Sequence, residues 1–263
     1  ARVRCGTIET AKGINISVGI QLLWKKLYQF QNCKVNANTI TGINGLGETV
    51  TLEKDIVKPL IKNDKLYCFK EINTTTYCLF PYKNGVDRIP FDEMPKLAKN
   101  YLNKCETLIK EKVEHREGIY WHTFTRENNQ DSYSKNKIIV PMTHLDTIAT
   151  FVNANSGYMD NSNVNFITLD NPNIEVAKSI TAILNSTIFS VFAKLEANPQ
   201  SGGYYKFNKQ FLNPVPLPIK VWEQSHKLIN VLSNIVDEIT DLQMTYLKSI
   251  SAKKNIYRQI LNK

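Results

Sequence analysis

Pro214, Pro216 and Pro218, spaced two apart in Leu212-Asn-Pro-Val-Pro-Leu-Pro-Ile219, divide this chain. Each proline fixes its own φ and removes a backbone donor, so neither a helix nor a central strand continues through them. A boundary is expected here, with a domain of residues 1–220 before it and a helical segment of residues 221–263 after it. In that segment Leu228, Leu232, Ile235, Ile239, Leu242 and Tyr246 step by four, three, four, three and four. This is a coiled-coil-like seam of about three heptads, which Ile250, Tyr257 and Ile260 extend. Roughly 35 residues at helical rise reach about 50 Å, more than one small domain covers. The seam is therefore expected to pack on another helix, in this protein or in a partner.

Before the prolines the hydrophobic period changes along the chain. The first 90 residues or so are rich in Val, Ile, Thr, Tyr and Gly, and short apolar runs such as Leu66-Tyr-Cys-Phe69 and Thr76 to Tyr82 lie between Asn-Asp and Asn-Gly turn signals. Such runs read as short strands. Gly42, Gly45 and Gly47 precede a β-like stretch and read as a hairpin turn, since a phosphate-binding loop needs a following helix. From Phe91 to Val113 the apolar residues recur at helical spacing, with Pro95 tolerable in a first turn. Lys135 to Pro141 and Asn165 to Leu169 return to strand character. Ile174 to Leu195 predicts a second helix, capped by Asn173 and ending near Asn198-Pro199. The fold class is α+β: a mixed, β-rich domain with two packed helices, followed by a long C-terminal helix.

Composition narrows the function classes. No apolar run approaches bilayer length and no secretory layout opens the chain, so a soluble, cytoplasmic protein without a membrane partner is expected. Cys5, Cys33, Cys68, Cys78 and Cys105 are odd in number and contain no Cys-x-x-Cys pair, which suggests neither a disulfide framework nor a zinc site. His115, His122, His144 and His226 stand apart from them and from one another. The phosphate-loop, nucleophile-elbow and zinc-helix signatures are all missing, so no catalytic residue and no cofactor is assigned to this chain. A net charge of +9 favours an anionic partner, nucleic acid foremost.

The segment Trp121-His-Thr-Phe-Thr-Arg126-Glu-Asn-Asn-Gln130 carries the side chains suited to such a partner. A guanidinium pairs two-pronged with guanine, and Asn or Gln does the same with adenine. Arg126, Asn128 and Gln130 are therefore candidate base readers, with Lys137 in the following Lys-Ile-Ile-Val-Pro141 as a further contact. Trp121 and Phe124 are expected to pack and hold the frame. In Ser201-Gly-Gly-Tyr-Tyr-Lys206-Phe207, Gly202 and Gly203 let backbone approach a phosphate and Lys206 neutralises one. The alternative for Tyr205 and Phe207 is core packing. Lys25 and Lys26 form a third candidate phosphate contact; a solvated edge is the other reading of both.

Taken in order, these segments resemble one family. Val18-Gly-Ile-Gln21 through Lys26-Leu-Tyr28, Glu53 to Lys62, Leu79-Phe-Pro-Tyr82, Tyr101-Leu102 and Trp121 to Arg126 are similar to the TaqI-like specificity region of N6-adenine DNA methyltransferases. So are Lys137 to Pro141, Leu184-Asn-Ser186, Ser201-Gly-Gly-Tyr204 and Val215-Pro-Leu-Pro218, which extends the resemblance over nearly residues 14–220. The resemblance implies a DNA target recognition domain from a type II or IIG modification or fused restriction-modification protein of bacteria. It implies double-stranded DNA as partner, and a methyltransferase domain, upstream or as a subunit, that holds S-adenosylmethionine and receives the target adenine. The Asn-Pro-Pro-Tyr type motif of that catalytic half is not in this chain. A restriction endonuclease fused to the same parent is compatible with this reading. The rival function is a protein-interaction module that docks a partner through the heptad helix.

Overall fold

The run Lys137-Ile-Ile-Val-Pro141 is buried along its whole length. Strand geometry sends alternate side chains to opposite faces, so Ile138 and Val140 enter one core while Ile139 enters another. A strand covered on both sides needs a continuous apolar run, and this one joins the two halves of the molecule. The computed structural model describes residues 6–62, 66, 68–69, 72–113, 118–217 and 225–261, with side chains through residue 251. Cys5, His115, Pro218, the expected boundary at 220–221 and the side chains of Tyr257 and Ile260 lie outside the described residues.

The strands used below are β1 (Ile14–Val18), β2 (Gln29–Val35), β3 (Thr39–Ile43), β4 (Thr49–Glu53), β5 (Val57–Ile61), β6 (Tyr77–Leu79), β7 (Lys137–Pro141), β8 (Thr150–Val152), β9 (Met159–Asp160) and β10 (Val164–Leu169). The helices are α1 (Lys96–Lys112), α2 (Ile174–Leu184), α3 (Thr187–Glu196) and α4 (His226–Leu261). A six-stranded sheet runs β9-β5-β6-β2-β3-β4, and a four-stranded sheet runs β8-β7-β10-β1. The class is α+β: the six-stranded sheet is mixed because β9 pairs parallel to β5, whereas the other pairs in both sheets are antiparallel.

The six-stranded sheet buries Phe30, Leu52, Leu60 and Phe80 with Ala98, Leu102 and Ile109 of α1. Helix α1 starts at Lys96, so Pro95 occupies the cap position instead of the first turn. Its orphan N–H groups are satisfied from a strand: Leu97 N and Ala98 N donate to the Glu53 carboxylate at 2.6 and 3.0 Å, a favourable place for negative charge. The glycine-dense segment is the β3–β4 hairpin turn, as expected, with Gly47 at φ +85°. Cys68 and Phe69 lie in a turn and not in a strand, because Phe69 adopts φ +53°, outside the extended region.

The four-stranded sheet packs Ile16, Ile138, Val140 and Ile167 against Ala177, Ile180, Leu184 and Phe189. The single helix expected from Ile174 to Leu195 is two helices that meet at a 71° bend. Asn173 Oδ1 caps the first by accepting from Val176 N at 2.8 Å, and Ser186 Oγ caps the second by accepting from Phe189 N at 3.2 Å. The break is enforced by Asn185, which accepts from Ala149 N and donates to Ala149 O at 2.7 and 2.9 Å. Among the described residues no single helix is long and apolar enough to cross a membrane.

Helix α4 packs on α2 through Ile229, Ser233 and Val236, and Lys178 pairs with Asp237 at 2.7 Å. The seam expected to pack lies elsewhere on the helix. Leu228, Ile235, Leu242 and Tyr246 are exposed, the last two 69% and 66%, because α2 lies under a different stripe of the same cylinder.

Two features weld the sheets. The Lys137 ammonium donates to Asp160 Oδ2 at 2.6 Å, to Tyr158 O at 2.6 Å and to Ser132 O at 2.9 Å. Both side chains are at most 1% exposed. Burial pulls the lysine below its usual range and pushes the aspartate up, and the partner opposes both shifts. Beside this pair Gly19 lies against the backbone of Asp160 and Asn161, where any Cβ would overlap both carbonyl oxygens. Ile20 N donates to Asp160 O at 2.7 Å. Lys137→Met should leave Asp160 buried without its cation and lower unfolding stability by about 3–5 kcal/mol, whereas Lys137→Met with Asp160→Leu should recover part of that loss. Denaturant melts of the two variants check this; equal losses would contradict it.

Candidate nucleic-acid interface

The segment from Trp121 to Gln130 is anchored at both ends and presented in the middle. Trp121 and Phe124 are 5% and 2% exposed, and the Phe124 ring meets Tyr28, Phe80 and Tyr82 at centroid separations of 6.3, 6.1 and 5.1 Å. These two aromatics are the frame the sequence predicts. Tyr28 Oη donates to His122 O at 2.6 Å, and Phe124 N donates to Tyr82 Oη at 2.6 Å.

The chain then emerges, and its side chains diverge. Glu127 accepts from Arg88 Nε and Nη2 at 2.7 and 2.6 Å and from Tyr82 Oη at 3.1 Å. Its neighbours Arg126 and Asn128 are exposed. Burial pushes the Tyr82 phenol well above its usual range and the Glu127 carboxylate adds to this, so the hydroxyl stays a donor. The Arg88–Glu127 pair is 48% and 24% exposed, and exposed pairs are worth only about 0–1 kcal/mol. The two-pronged geometry therefore serves orientation more than stability.

Beyond Asn128 the backbone turns sharply. Asn129 has φ +61° and its Nδ2 donates to Val18 O at 3.0 Å, while Gln21 and Arg126 form an isolated antiparallel bridge. The arm thus lies on the segment that leaves β1. Gln130 re-enters the protein at 4% exposure and cannot read a base, which corrects its assignment. Lys137 is likewise withdrawn: its charge is consumed by Asp160 inside the fold.

The glycine-tyrosine segment is tied to β1 through β10. Gly202 and Gly203 adopt φ +74° and +80° in an exposed turn, a conformation that side-chain-bearing residues rarely take. Gln200 N closes the loop on Tyr204 O at 2.7 Å. Lys206 is exposed in a two-residue strand whose next residue, Phe207, is fully buried. Asn165 Nδ2 donates to Phe207 O at 2.7 Å, and Asn165 stands opposite Val18 in the β10–β1 register. Val18 therefore connects both motifs: it accepts from Asn129 and pairs with the residue that holds Phe207.

Lys25 and Lys26 lie exposed on a one-turn helix whose Leu27 and Tyr28 are fully buried. Tyr101 Oη donates to Leu27 O at 2.8 Å, and Gly45 N donates to Lys26 O at 2.6 Å. A Cβ on Gly45 would come within 2.6 Å of Lys26 Cα. Among the described residues none of Lys25, Lys26, Arg126 and Lys206 is held in an ion pair. No group of three or more His, Cys, Asp or Glu among those residues could hold a metal ion. A cleft of about 860 Å³ between residues 11–14, 169–176 and the start of α4 contains none of the candidate contacts.

Sequence reasoning missed Arg88 and Glu127, and it grouped Asn129 with the base-reading side chains where the structure gives it a positioning bond to Val18. The Asn-Asn dipeptide was the available signal for a left-handed turn, since asparagine tolerates that region. Nothing local to Arg88 marks it as the partner of a residue 39 positions away.

A family model described as the TaqI-like C-terminal specificity domain matches residues 11–217. No curated protein matches the chain. Among solved structures the chain is similar to one reported as "Structure of Type IIL restriction-modification enzyme MmeI in complex with DNA has implications for engineering of new specificities". That likeness has 11% identity and a TM-score of 0.47, and covers 79% of this chain and 25% of the other. The chain thus spans a quarter of that protein's length.

If Glu127 orients the arm, Glu127→Gln should change stability by less than about 1 kcal/mol yet speed amide exchange at residues 126–129. Hydrogen exchange unchanged at those amides would show that the arm is held by other contacts.

Proposed function

This chain belongs to the TaqI-like C-terminal specificity domain family, and from that premise we propose that it is the DNA recognition domain of a site-specific N6-adenine DNA methyltransferase of a restriction-modification system. The observation that carries the reading is the convergence at Val18: Asn129 of the arm bonds its carbonyl, and Asn165, its strand partner, holds the residue after Lys206. The arm with exposed Arg126 and Asn128, and the short strand with exposed Lys206 that follows the glycine turn, are thus both tethered through β1 and its strand partner, which supports the reading. Division of labour follows from chemistry. Lys206, and Lys25 with Lys26, meet phosphates and set register, whereas Arg126 and Asn128 meet base edges in the major groove.

Duplex DNA is the partner, and the target adenine is delivered to a methyltransferase domain outside this sequence, which would bind S-adenosylmethionine. The chain itself contributes binding and orientation. Flipping an adenine costs a few kcal/mol of stacking and pairing, and grip on the flanking phosphates supplies that energy. A cytoplasmic location fits DNA as the substrate.

With the methyltransferase domain supplied, Arg126→Ala should lose about 1–3 kcal/mol of discrimination between the target site and a single-base variant. Lys206→Ala should weaken all sequences about equally and reduce the salt dependence by about one charge. Gel shifts across a salt series measure both; absence of any DNA binding at about 50 mM salt would refute the proposal.

A further inference from the structure

Helix α4 carries two apolar stripes, and the fold uses one. Ile229, Ser233 and Val236 are buried against α2, while Leu228 (39% exposed), Val231 (46%), Ile235 (39%), Leu242 (69%) and Tyr246 (66%) face away from the body. At 3.6 residues per turn the second stripe lies roughly a third of a turn from the first. Its residues keep near-heptad spacing over about 27 Å of helix, the period at which a helix, and not a sheet or a loop, interdigitates. Its flank is asymmetric in charge. On one side lie exposed Lys227, Glu238 and Asp241; on the other, half-buried Leu232 and Ile239.

We propose that this stripe pairs antiparallel with the same stripe of a second copy of this chain, on a two-fold axis near Ile235. In that arrangement like flanks face each other, so Lys227 of each copy comes opposite Glu238 and Asp241 of the other, twice by symmetry. Leu228 faces Leu242, and Ile235 faces itself. A parallel pair would instead set the charged flank of one copy against the Leu232 and Ile239 flank of the other, leaving Lys227, Glu238 and Asp241 without opposite charges across the seam. A two-fold interface is isologous: the same patch serves both subunits, so residue i meets j wherever j meets i.

The pairing is read by light scattering and cysteine cross-linking of the 263-residue chain. The expected result is a dimer in which Ile235→Cys cross-links to itself. Leu228→Cys and Leu242→Cys alone should give little cross-link but should form one when mixed, because a disulfide tolerates only short Cα separations. A charge swap is the independent arm. Glu238→Lys with Asp241→Lys should weaken the dimer several-fold, and adding Lys227→Glu should restore it. These positions are exposed, so the monomer fold should persist, as circular dichroism would register. A monomer at concentrations in the hundred-micromolar range overturns the proposal, as does self-cross-linking of Leu228→Cys, which would indicate a parallel pair. Capture of a different helix by a chain that stays monomeric would overturn it too, assigning the stripe to another partner.

Discussion

The ion pair between Lys137 and Asp160 is the joint on which the rest of the molecule turns. Lys137 belongs to the four-stranded sheet and Asp160 to the edge strand of the six-stranded sheet, so the pair forms only when the two halves are correctly docked. An isolated buried ion carries a desolvation penalty of several kcal/mol. The lysine offsets this with three acceptors at once, from Asp160, Tyr158 and Ser132. Such a network is less a source of stability than a test of geometry, since an apolar pair would tolerate a shifted register that this one would not.

The presentation of the exposed arm follows from that joint. Gly19 and Ile20 thread against the backbone at Asp160 and Asn161, which places Val18 and Gln21 where Asn129 and Arg126 meet them. The glycine-tyrosine turn is tied to the same strand end through Asn165. Buried aromatics set the position of the arm and a two-pronged ion pair sets its orientation, while the side chains available to a ligand remain unpaired. The anchors and the exposed groups are different residues that alternate along one segment, so the outward residues can change without disturbing the fold.

Much of the architecture was legible because it depends on local physics. The strand character of Lys137 to Pro141, the glycine hairpin, the cap at Asn173, the framing role of Trp121 and Phe124 and the long C-terminal helix all follow from period and side-chain type. The misreadings share a different cause. An unbroken helical period from Ile174 to Leu195 conceals a break that Asn185 makes by bonding to Ala149, a residue 36 positions away. Lys137 looks like a surface cation until β9 brings Asp160 beside it. Gln130 looks like a reader until the turn at Asn129 returns it to the interior.

Helix α4 marks the limit most clearly. Its sequence determined that a long helix forms and that it carries apolar residues at helical spacing, because propensity and period are properties of neighbouring residues. It did not determine which stripe would be covered, since two compete and the choice depends on where α2 lies. The same division holds across the chain. Sequence alone specified the family, the α+β class and the kinds of side chain whose chemistry suits a nucleic acid. Only the tertiary structure decided which of those side chains reach solvent, because exposure is set by contacts between residues far apart in the chain.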